Sequence, residues 1–105
     1  MLEEKTIQSA ANLLLNAAPG AKVILFGSYA RGDAQSYSDL DFLVVEPQVK
    51  DRMGEMFRLR KMLRGLPVAV DVIVISAERF EFWKDTPNTL AYQALKEGKV
   101  YEQVA

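Results

Sequence analysis

The 105-residue chain contains neither cysteine nor histidine. Their absence excludes disulfides, a thiolate nucleophile, zinc sites built on Cys or His, and a Ser-His-Asp triad. It is consistent with a cytoplasmic location, which is the expectation here. No apolar run is long enough to span a membrane, and Met1-Leu2-Glu3-Glu4-Lys5 does not read as a signal peptide. Neither sign of charge dominates: 13 Lys and Arg face 14 Asp and Glu, a net charge of −1. That balance argues against a broad electrostatic grip on nucleic acid, so no direct nucleic-acid binding is expected. Lys50, Arg52, Arg58, Arg60, Lys61 and Arg64 form the one marked basic cluster, which reads as a solvated helix face. Repeats, low-complexity tracts and linkers are also missing.

Half the residues are apolar, which favours a folded core over disorder. The length accommodates one modest core, so residues 1–105 are expected to form a single domain. Apolar positions at helical spacing (Ile7, Ala10, Ala11, Leu14, Leu15, Ala18) predict a helix over about 2–17, ended by Pro19-Gly20. Residues 22–27 read as a buried strand, after which Ser28 is expected to cap a short helix. A polar loop at 34–38 leads to a strand over 39–46, stopped by Glu46-Pro47. A second long helix is predicted over about 51–65, with Met53, Met56, Phe57, Leu59, Met62 and Leu63 on its apolar side. Residues 68–75 form a third strand, and Ser76 is a cap for a short helix holding Phe80, Phe82 and Trp83. Thr86-Pro87 reads as a cap with proline at the first helical position, opening a last helix that runs to about Glu97 before Gly98. Val100 and Tyr101 are expected to pack back on the domain. This order predicts an α/β fold, helices packed against a short sheet.

The chemistry concentrates in Gly27 to Asp41, GSYARGDAQSYSDLD. Aspartate is depleted in strands, and two of them entering a core strand need a reason. In extended backbone, residues i and i+2 point the same way, roughly 7 Å apart. Asp39 and Asp41 therefore make a same-side acidic pair that suits a hard divalent cation such as magnesium. Asp71 interrupts the β-branched run Val68–Ile75. A lone charge buried there is costly unless it is paired or bound to metal. If the two acidic strands are neighbours, Asp71 can face Asp39 and Asp41. Such carboxylate clusters serve two-metal phosphoryl transfer.

Gly27-Ser28, then Asp39-x-Asp41, then Asp71 on a later strand resembles the nucleotidyltransferase superfamily of DNA polymerase beta. The spellings Gly-Ser-Tyr-Ala-Arg-Gly and Ser38-Asp39-Leu40-Asp41, with the small size, look like the minimal nucleotidyltransferases. In prokaryotes these are commonly encoded beside a helical HEPN-domain toxin as its antitoxin. The resemblance covers the chain from the first helix to the third acidic strand. It implies a small nucleotidyltransferase fold with a short mixed sheet. It also implies a magnesium-dependent transfer of AMP from ATP to a protein hydroxyl, a tyrosine of a cognate HEPN toxin. Asp39, Asp41 and Asp71 would be the catalytic and metal-binding residues of a two-metal site. Gly27 and Ser28 would hold the triphosphate; Arg31 could contact phosphate or an acidic partner, or lie on the surface. A hetero-oligomer with the toxin is implied, because no domain for binding the acceptor follows the core. Two other readings stand beside it: a binding module that neutralises its partner by complex formation, and a transferase acting on a small aminoglycoside-like hydroxyl.

Overall fold

The computed structural model describes residues 2–103. The N-terminal apolar spacing produces helix α1, Glu4–Ala17, which buries Ile7, Ala10, Ala11, Leu14 and Leu15. Strand β1, Lys22–Phe26, follows, then the one-turn helix α2, Ser28–Arg31. Strand β2 is Leu40–Glu46, helix α3 Arg52–Lys61 and strand β3 Val70–Ser76. Helices α4, Ala77–Trp83, and α5, Leu90–Glu97, lead to the short strand β4, Lys99–Tyr101.

The four strands form one sheet in the order β3-β2-β1-β4. β1 runs antiparallel to both β2 and β4, while β2 and β3 are parallel. The sheet is therefore mixed, as the resemblance implies. The parallel pair needs a crossover, and α3 supplies it. Alternate strand residues face opposite ways. Val23, Leu25, Phe42, Val44, Val72 and Val74 pack with α1 and with Leu59 and Leu63. Ile24, Phe26, Leu43 and Val45 pack with Phe80 of α4 and with Ala91 and Ala94 of α5. Because β1 and β2 are covered on both faces, their sequences read as unbroken apolar runs.

Several boundaries differ from expectation. α3 stops at Lys61 rather than about 65. Beyond it, Leu63, Arg64 and Leu66 donate to carbonyls three residues back, so the chain tightens into turns before Pro67. Met53, Phe57 and Met62 are exposed, because the buried stripe of α3 is narrow. The last helix begins at Leu90 and is capped by Thr89, whose hydroxyl accepts the Tyr92 amide. Thr86-Pro87 belongs to the preceding turn, and Asn88, with φ 69°, swings the chain into the helix. Val100 and Tyr101 do more than pack back: they pair with Ile24 and Val23 as β4. Three residues are too few to display an alternation. Gly98 is extended, not left-handed. A side chain there would collide with the Ala94 carbonyl and, at 2.7 Å, the Leu25 carbonyl, so close approach of β4 to β1 demands glycine. No helix among the described residues is long and apolar enough to cross a membrane.

Candidate active site

The strand register lines up Phe26, Asp41 and Asp71 across β1, β2 and β3. Asp41 and Asp71 are direct partners on parallel strands, so their side chains leave the same face. Asp39 stands one residue before β2 and two before Asp41. The Leu40 amide donates to the Ala69 carbonyl at 2.9 Å, tying this entry to the start of β3. Asp39 and Asp71 are exposed and Asp41 is half-buried.

Burial pushes the Asp41 carboxyl up from 3.8 to about 6. The charges of Asp71 and Asp39 push in the same direction, and Glu97 adds a smaller push; Arg31 opposes them. The carboxylates of Asp39, Asp41 and Asp71 are therefore near enough to act on one another. Among the described residues, no three acidic side chains close on a single cation-sized point. Asp71 instead accepts from the Arg60 guanidinium at 3.1 Å, which reaches it around the open edge of β3. The donor set still fits magnesium, which takes one or two carboxylates and completes its shell with water and substrate phosphate.

Gly27 links β1 to α2 at φ 79°, ψ −157°, a backbone region open essentially to glycine alone. A Cβ there would lie 3.3 Å from the Asp41 carboxyl carbon and closer still to its Oδ2. The elbow and the acidic strand are thus in direct contact. Ser28 is the first helical residue rather than the cap; Gly27 holds the cap position, and no side chain caps α2. Ser28 sits at the lip of the site, half-buried.

Glu97, at the end of α5, is the residue that sequence reasoning missed. Its Oε1 accepts the Gly27 amide at 3.1 Å and the Arg31 guanidinium at 3.4 Å. Arg31 also pairs with Asp33 at 3.3 Å. The amide and guanidinium expected to meet phosphate are therefore engaged by a carboxylate. One signal was available: an acid in the last turn of a helix opposes the macrodipole, and such a residue needs a partner elsewhere. A surface hollow of about 1120 Å³ lies at the other end of β1 around Gly20 and Lys22, away from the acidic row.

Residues 7–101 match the sequence profile described as "Nucleotidyltransferase domain". A Methanocaldococcus jannaschii protein bearing the provisional name protein adenylyltransferase is 37% identical over 102 residues. The match spans 95% of this chain and 98% of that protein. Among solved structures, a crystal structure of a toxin–antitoxin MntA-HpeT mutant superposes with a TM-score of 0.66 at 24% identity. It covers 99% of this chain and 75% of that one. The structure of a tri-AMPylated Shewanella oneidensis HEPN toxin in complex with MNT antitoxin gives a TM-score of 0.58 at 22% identity. There the coverage is 91% of this chain and 72% of that one. These two likenesses are likenesses of fold.

Proposed function

This chain belongs to the nucleotidyltransferase domain family, and from that premise we propose that it transfers AMP from ATP to a protein hydroxyl. The acceptor is a tyrosine of a cognate HEPN toxin, and the modification silences that toxin. The observation that carries this reading is the in-register pair Asp41 and Asp71 beside the Gly27 elbow. The protein-adenylyltransferase name of the Methanocaldococcus jannaschii relative and the AMPylated toxin in the Shewanella oneidensis complex support the acceptor class.

Asp39 and Asp41 would hold magnesium, which when bound neutralises phosphate charge and sharpens the α-phosphorus as an electrophile. Asp71, hydrogen-bonded to Arg60, would accept the proton of the incoming hydroxyl. Arg31 and the elbow amides bind the triphosphate in exchange for Glu97. The acceptor oxygen bonds to the α-phosphorus, the bond to the β-phosphate bridging oxygen breaks, and pyrophosphate leaves. Positioning and charge neutralisation supply most of the acceleration.

Incubation with labelled ATP, magnesium and the partner toxin tests this. The partner should gain the mass of AMP, and the Asp39→Asn, Asp41→Asn double variant should transfer none while staying folded. An unmodified partner known to be competent, or a double variant that still transfers, refutes the assignment. A second reading, neutralisation by binding alone, draws on the exposed Met53, Phe57, Phe82 and Trp83 as contact surface and on Asp71 already being paired with Arg60. Full protection of cells by the double variant would select it.

A further inference from the structure

The acidic row does not end at a flat surface. Two residues beyond Asp41 and Asp71 on the same face come Leu43 and Ile73, again paired in register. Together with Ile75 they floor a cavity of about 280 Å³ whose wall is Trp83 and Leu90. The cavity is mainly apolar; its polar lining residues are Thr89, whose hydroxyl is engaged, and Arg52, which is tied to β3 through its Nε. The Thr89 hydroxyl shares its single proton between the carbonyls of Thr86 and Trp83 and accepts the Tyr92 amide. Arg52 donates its Nε to the Val74 carbonyl at 2.8 Å.

We propose that this cavity receives the base of the nucleotide, with Trp83 as its stacking platform. The inference rests on the nucleotidyl-transfer reading and adds the subsite that reading leaves open. Size and reach support it together. The volume is below that of most whole-ligand sites, enough for a ring system rather than a complete nucleotide. Two strand residues separate the carboxylates from the cavity floor, roughly 7 Å. A ribose spans that interval between the α-phosphate and the base. A tyrosine acceptor has no such spacer between ring and hydroxyl, so its ring seated here would leave the oxygen short of the reacting phosphorus. With most of the lining apolar and the Thr89 hydroxyl committed elsewhere, the grip comes mainly from stacking and excluded water. Affinity should therefore follow ring area, ATP above CTP.

Trp83 is the only tryptophan in the chain, so its emission reports on this cavity directly. Isothermal titration of the intact protein with magnesium-ATP and with magnesium-tripolyphosphate separates base from phosphate. ATP is expected to bind about tenfold more tightly than tripolyphosphate and to quench Trp83 emission. Trp83→Ala should lose about tenfold in ATP affinity and leave tripolyphosphate binding unchanged, with Trp83→Phe recovering most of the loss. Equal affinities for the two ligands, or full ATP affinity in Trp83→Ala, overturn the base subsite while the transferase reading stands. If neither ligand binds, the transferase reading and the subsite fall together.

Discussion

The contact between Gly27 and Asp41 makes Gly27→Ala the most informative single substitution. At φ 79°, ψ −157°, an alanine costs about 1–3 kcal/mol in backbone strain alone. Its methyl group would also press on the Asp41 carboxyl, forcing the side chain to turn or β2 to shift. Together these place the loss at about 2–4 kcal/mol, a fall of roughly 9–18 °C in Tm for a domain of this size. Gly32→Ala is the control. Gly32 also has a positive φ, 85°, but nothing lies within 4 Å of the position its Cβ would take. It should lose only about 1–2 kcal/mol and keep its transfer rate within about threefold. Gly27→Ala should lose roughly a hundredfold in transfer, the usual effect of displacing a reacting group by about 1 Å. Thermal melts and AMP transfer to the partner are the assays. A double-mutant cycle with Asp41→Ala should recover about 1 kcal/mol of coupling, since that change removes the struck carboxyl. Equal behaviour of Gly27→Ala and Gly32→Ala in both assays would refute the claim that the elbow positions the acidic strand.

Glu97→Gln should tighten magnesium-ATP binding about fivefold, close to 1 kcal/mol, because a neutral amide competes less well with phosphate for Arg31 and the Gly27 amide. Titration calorimetry that finds unchanged or weaker binding would remove Glu97 from the phosphate site. A different carboxyl, Glu46, contributes to the pH dependence of stability. Its burial, with the neighbouring Glu55, raises it from 4.5 to about 7. A raised folded-state value stabilises below about pH 4.5, and that contribution is lost as pH rises through about 7. The Tm should therefore decline between about pH 4.5 and pH 7 and level off above, and Glu46→Gln should flatten the decline; an unchanged slope in the variant would count against the buried carboxyl.

Much of this protein could be read without coordinates. The lack of cysteine and histidine confined the chemistry to carboxylates, hydroxyls, amides, amines and guanidinium groups. The spacing of Asp39 and Asp41 predicted a same-side pair, because alternation in extended backbone depends on sterics within a few residues. Ser76 was legible as a helix cap for the same reason, its hydroxyl accepting an amide three positions on. Thr86 misled because its neighbour is proline, while the cap that formed, Thr89, follows a left-handed Asn88 that no local preference announced. The tertiary structure decided everything that joins distant segments. It set Asp71 opposite Asp41 through the packing of α3 across β2 and β3, drew Glu97 to an amide 70 positions away, and let Arg60 reach round an open sheet edge. Periodicity and turn chemistry act over a handful of bonds, whereas register, partner choice and cavities depend on how whole faces bury their apolar area, which no window of sequence contains.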